Sequence, residues 1–137
     1  MEEISIERTM ITEDYVSFET AKHLNEKGFK GECLGVYFPD GRFDIFDTAF
    51  DYNLHNGNLS HAINAPTLQM VMKWLREVHN IHVVPKFDFY ARDYTGRIYD
   101  DRRESTGEKD DYIAIAGNST YEQAAEAAIK YCLENLI

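Results

Sequence analysis

Apolar residues recur at helical spacing in three stretches of this chain and at alternate positions between them, so helices and strands are predicted in turn. Ser17 offers an N-cap for Phe18 to Lys27, where Phe18, Ala21 and Leu24 repeat at a spacing of three, and Gly28 supplies the stop. Phe29 is placed to fold back on the last turn. The widest stripe lies between Ala65 and Ile81, with Leu68, Val71, Met72, Leu75 and Val78 on one face, broadened by Met70 and the single tryptophan, Trp74. Gln69, Lys73, Arg76 and Glu77 form its polar back, and Pro66 is expected in the first turn, where its missing N–H costs nothing. This pattern marks a core-facing helix, in which a buried Trp74 would be worth about 3–5 kcal/mol. The third stretch carries Tyr121, Ala124, Ala125, Ala128, Ile129, Cys132, Leu133 and Leu136, with Thr120 and Gln123 as a capping box or Ser119 and Glu122 as the equally spaced alternative.

Between the helices, Glu32 to Phe38 and Phe43 to Phe50 read as strands joined by a turn at Pro39-Asp40-Gly41-Arg42. Neither face of the second strand is cleanly polar, which predicts cover on both sides. Ile81 to Ala91 alternates, with Pro85 arguing for an edge or a bulge. Asp93-Tyr94-Thr95-Gly96 reads as the next turn, followed by a strand over Arg97 to Asp101, a charged tip from Arg102 to Asp110, and a strand over Asp111 to Ala116. These connections are too short for parallel crossovers. Residues 1–14 read as a loose arm, and Asp51 to Asn64 as a long polar loop, either a surface loop around Asn56-Gly57 or part of a ligand site. The expected fold is α+β: a single domain over residues 1–137, with a four- or five-stranded, largely antiparallel sheet. The two long helices would pack side by side on one face, beside a short N-terminal helix.

Composition supports a folded domain, with 44% apolar and 13% aromatic residues in 137. A formal charge of −10 opposes non-specific binding of nucleic acid or anionic membrane. No apolar run approaches a membrane span and the acidic start is unlike a signal peptide, so a cytoplasmic setting is expected. Cys33 and Cys132 read as buried free thiols.

Candidate chemistry is sparse. His79-x-x-His82 has ligand spacing but no third ligand nearby in sequence, and Asp100-Asp101 and Asp110-Asp111 flank a charged tip where solvated charge is the ordinary state. No nucleophile elbow or phosphate loop is present in the sequence, so no catalytic residue, metal or cofactor is assigned. The most informative cluster is Lys86, Tyr90, Arg92, Tyr94, Arg97, Tyr99, Arg102 and Arg103, where arginines interleaved with tyrosines could hold a phosphate and stack a ring. The competing reading pairs these cations with Asp88, Asp93, Asp100 and Asp101 across strands. His55 and His61 join the tentative ligand-binding set through the long loop, with Asp47 or Asp51 as neighbours in a hydrolase alternative.

The segments ITEDYVSFETAKHLNEKGF, APTLQMVMKWLREVHNI and YEQAAEAAIKYCLENLI, in this order, resemble a group of small uncharacterised proteins of phages and mobile elements of gut bacteria. The resemblance implies a phage-type origin and a shared scaffold, and it carries over no catalytic residue. The function expected is that of a non-enzymatic accessory protein, which sequesters or blocks a host protein or a small signalling nucleotide. The alternatives are a small metal-dependent hydrolase or nuclease using His55 and His61, and a structural protein whose aromatic strand faces are covered in a homo-oligomer.

Overall fold

A computed structural model of the chain describes residues 11–31, 33–45, 62–103 and 111–137. Helix α1, Phe18–Glu26, starts where Ser17 Oγ accepts from the Thr20 N–H at 3.3 Å, and ends before Gly28, whose φ of 89° suits glycine. Phe29 then donates its N–H to the Leu24 carbonyl, back in the last turn as the pattern predicted, and buries its ring against Trp74 of the central helix.

Strands β1, Gly35–Tyr37, and β2, Phe43–Ile45, form the expected hairpin. Its turn is set by Gly41 at φ 88° and by the Asp40 carboxylate accepting from the Arg42 N–H at 2.9 Å. All three residues of β2 are exposed, so the cover expected on both faces is not found there; the predicted continuation to Phe50 lies outside the described residues. Strand β3, Ile63–Asn64, pairs with β1 on its other side.

Helix α2, Leu68–His79, begins two residues later than Pro66 suggested, because Thr67 is its N-cap and accepts from the Met70 N–H at 3.2 Å. Pro66 precedes the cap, and its carbonyl accepts from the Val16 N–H. Asn80 closes the helix in the left-handed region, φ 55°, a conformation asparagine tolerates better than other side chains. Leu68, Val71, Met72 and Leu75 are buried, whereas Val78 is 60% exposed and Trp74 only partly covered, so the apolar stripe is narrower than its sequence implied.

Strands β4, Ile81–Asp88, β5, Asp93–Asp100, and β6, Ile113–Asn118, form an antiparallel meander with β5 in the middle. Pro85 sits on edge strand β4 as its missing donor requires. The reading of Asp93 to Gly96 as a turn is corrected: those residues are strand, and the chain reverses at Phe89 to Arg92. Asp88 makes that turn, its Oδ1 accepting from the Tyr90 and Ala91 N–H groups, while Arg92 takes φ 58° without a glycine. Gly96 serves packing instead. A Cβ there would lie 2.6 Å from the Ala124 carbonyl oxygen and 2.9 Å from the Ala128 Cβ, so glycine lets β5 approach the terminal helix.

That helix, α3, Tyr121–Asn135, is capped by Thr120, and the Gln123 side chain reaches back to the Ser119 N–H rather than to Thr120 itself. It lies on the inner face of β4–β5–β6, while α2 packs beside it against β4. Glu126 Oε1 accepts from the Ser17 N–H at 2.9 Å and the Thr20 hydroxyl at 2.8 Å, tying α1 to α3. One buried cluster joins these elements, including Val16, Leu24, Leu75, Ile81, Ile98, Ile129 and Leu133.

The class is therefore α+β, but a single four- or five-stranded sheet with both long helices on one face is not what forms. The strands divide into two three-stranded antiparallel sheets, β2-β1-β3 and β4-β5-β6. The division follows from β3 having two residues before Ala65, Pro66 and Thr67 turn the chain into α2, and from Pro85 interrupting the donors of edge strand β4.

Candidate functional site

Alternation along the meander decides which side chains share a surface. Val83, Gly96, Ile98, Ile113 and Ile115 look toward the helices, so Val84, Lys86, Thr95, Arg97, Tyr99, Ala114 and Ala116 stand on the opposite face. A groove of about 480 Å³ lies on this outer face, lined by Lys86, Thr95, Arg97, Tyr112, Ala114 and Ala116, with Phe89 and Tyr90 of the hairpin tip at one end. The floor is flat because alanines alternate with the inward isoleucines of β6. An extra β6 residue lies at Ala116 and Gly117 opposite Thr95, and Gly117 accommodates this bulge at φ 82°.

The Arg97 guanidinium lies 4.4 Å over the Tyr112 ring, which also meets Tyr99 at 5.4 Å. Such stacking presents the guanidinium plane in a preferred orientation. Lys86 and Arg97 are diagonal neighbours across β4 and β5, because Lys86 pairs with Thr95, so their side chains start about 7–8 Å apart and can converge. The Asp88 carboxylate at the groove's end is engaged by two backbone N–H groups of the turn.

The predicted cluster is thus divided. Lys86, Tyr90, Arg97 and Tyr99 belong to the outer face or its tip, while Arg92 stacks over Phe89 at 4.6 Å on the tip itself. Tyr94 turns to the helix side, against Phe87 and Tyr121. Arg102 pairs with Asp100, but two residues along the chain and not across strands as the competing reading had it, donating to that carboxylate at 2.8 and 2.9 Å and to the Leu136 carbonyl; Arg103 reaches Asp111 at 3.7 Å. His55, His61, Asp47 and Asp51 lie outside the described residues. Sequence reasoning missed Phe89, Thr95, Tyr112, Ala114 and Ala116 as lining. The parity of Ile113 and Ile115 held the signal for the two alanines.

The remaining candidates are structural. His79 meets the Trp74 ring edge to face at 4.7 Å, and its Nε2 has no hydrogen-bond partner among the described residues. Burial, then the nearby Arg102 charge, lowers its pKa from the ordinary value. The fold therefore favours the neutral ring. An unfolded histidine titrates near about 6.5, so this contribution to stability is complete above that pH and is lost as pH falls through it toward the lower folded value. Melting temperatures measured from pH 7.5 to 5 should fall more steeply for the natural protein than for His79→Phe; parallel curves would show that His79 is not the group concerned.

Burial pushes the Cys33 thiol up to about 11 and the Cys132 thiol up to about 12, so neither supplies a thiolate nucleophile near neutral pH. Among the described residues no group of three or more His, Cys, Asp or Glu side chains is placed to hold a metal ion, and no helix is long and apolar enough to cross a membrane. Comparison of the chain with protein-family models, curated proteins and solved structures finds no match.

Proposed function

We propose that this is a non-enzymatic binding protein that acts by sequestration, holding a small anionic ligand on the outer face of β4–β5–β6. The observation that carries the reading is the groove itself, where Lys86 and Arg97 stand on one outer face over a floor of small residues in a chain of formal charge −10. Lys86 offers an anion a local positive charge against the acidic balance of the whole chain. The lining contains aromatic rings and cations but no pair of carboxylates in contrasting environments and no nucleophile activated by a base, so it can bind without transforming what it binds. A phage-type accessory protein that removes a host signal from solution would need no more.

The test is to purify the protein under native conditions, unfold it, and identify released small molecules by mass spectrometry, in parallel with Lys86→Glu. The natural protein should release an anionic compound that raises its melting temperature when added back. Lys86→Glu should melt at a similar temperature without ligand and retain less than about a tenth of the compound, a loss on the scale of one charge-assisted contact. If the natural protein releases nothing and no small anion shifts its melting, the reading fails.

A further inference from the structure

Resting on the outer-face reading above, we propose that the ligand is a planar aromatic monocarboxylate. Its carboxylate is shared by Lys86 and Thr95, and its ring lies on the Ala114 and Ala116 floor toward the Phe89 and Tyr90 tip. Lys86 and Thr95 stand opposite one another in the β4–β5 register, and both line the outer groove. Cβ atoms of residues so paired are about 4.5–5.5 Å apart, so an ammonium and a hydroxyl start from neighbouring points on one face. Neither side chain has a hydrogen-bond or ion-pair partner among the described residues. Both groups donate, and a carboxylate brings one oxygen for each.

The local charge suits one negative group and not two. Asp88 follows Lys86 by two residues on the same face of β4, about 7 Å along the strand, and lines the end of the groove. Its Oδ1 accepts from the Tyr90 and Ala91 N–H groups, which fixes that negative charge beside the tip. A second charge on the ligand, such as a phosphate dianion carries, meets Asp88 as well as the formal charge of −10. Arg97 lies over the Tyr112 ring at 4.4 Å and forms a wall of the groove; its charge plays no part in holding the carboxylate.

The rest of the groove fits a flat apolar body. Ala114 and Ala116 give a floor without protruding side chains, and Tyr112 stands at one side of it. At the tip Phe89 is 64% and Tyr90 95% exposed, and the two rings meet edge to face at 5.9 Å. Arg92 lies over Phe89 at 4.6 Å and fixes one side of that ring. Exposed rings bounding a groove offer stacking area to a planar group. The tip begins one row beyond Lys86, about 7 Å away, the span of a bicyclic arene carboxylate or of a ring on a short arm. A short aliphatic acid would leave the rings without a partner, and a neutral arene would leave Lys86 and Thr95 without one. The smaller groove, of about 240 Å³, has no such donor pair: its Lys22 lies over Phe18, and its Tyr37 hydroxyl donates to the Val16 carbonyl.

Calorimetric titration of the full chain with naphthoate, indoleacetate, phenylacetate, cyclohexanecarboxylate, naphthamide and phenyl phosphate tests this. At least one of the three aromatic acids should bind about 10- to 100-fold more tightly than cyclohexanecarboxylate, the range that one stacked ring provides. Naphthoate should bind about tenfold more tightly than its neutral amide, a difference on the scale of one charge-assisted contact. Lys86→Gln should remove the gap between acid and amide, and the double variant Phe89→Ala, Tyr90→Ala, whose side chains are outside the core, the gap between aromatic and cyclohexane acids. Cyclohexanecarboxylate binding as tightly as every aromatic acid would overturn the ring assignment, and phenyl phosphate binding more tightly than all of them would overturn the monocarboxylate; both leave anion capture standing. Equal binding of acid and amide would overturn the pairing with Lys86. If none of these anions binds while the compound released from the natural protein does, this assignment alone falls; if neither binds, the reading on which it rests falls with it.

Discussion

Replacing Gly96 by alanine should destabilise the protein by about 3 kcal/mol, the upper part of the usual range for forcing an extra carbon into a filled contact. The reason is the identity of the atoms in the way. A Cβ at this position would meet the Ala124 carbonyl oxygen at 2.6 Å, and that atom belongs to the backbone of α3 and cannot rotate aside. The neighbouring contact, 2.9 Å to the Ala128 Cβ, also lacks a flexible end. Relief would require α3 to lift from β5, uncovering Ile98 and Ile129, both fully buried. Denaturant unfolding of Gly96→Ala against the natural protein measures the effect. A loss below about 1 kcal/mol would mean that the helix and the middle strand are not held so closely.

The second large effect is expected at Leu75, where truncation to alanine should cost about 2–5 kcal/mol. Leu75 is fully buried on the inner side of α2, where it shares the cluster with Ile81 and Leu133, and the helix cannot collapse into the space without moving against β4. Glu77, on the exposed side of the same helix, provides the control, and its alanine variant should stay within about 0.5 kcal/mol of the natural protein. Equal effects at the two positions would place the wrong face of α2 inward. Trp74, partly covered and meeting Phe29 and His79 in T-shaped contacts, is expected to fall below the 3–5 kcal/mol of a buried tryptophan.

The helices were legible in the sequence because their signals are local. Ser17 and Thr120 cap as their spacing implied, and Ala124, Ala125, Ala128, Ile129, Cys132 and Leu133 are the buried side of α3. The sheets were less so, since pairing joins residues far apart in the chain: nothing near Val36 indicates that Asn64 will lie beside it and that β1 will stop short of the second sheet. Gly96 misled for a definite reason. Glycine signals both turns and close approaches, and only the presence of α3 separates the two, while the real turn uses Arg92 in a conformation that its side chain gives no hint of.

The candidate site was legible to the same degree. Lys86, Arg97 and Tyr99 stand together because their parity along β4 and β5 follows from the register, and Tyr94 is lost to the helix side by the same rule. Ala114 and Ala116 carried no chemical signal, yet their small size shapes the floor. The two histidines of the long loop remain a sequence expectation outside the described residues.

The central claim, that the outer face of β4–β5–β6 is the binding surface, is tested most directly by backbone-amide NMR during titration with the anionic compound released from the natural protein. The account predicts that the shifts concentrate at Lys86, Phe89, Tyr90, Thr95, Arg97, Ala114 and Ala116, and that Ala116→Phe, which fills the groove from a position outside the core, removes them. Shifts gathered instead around Phe18, Tyr37 and Phe38, or unchanged in Ala116→Phe, would contradict it.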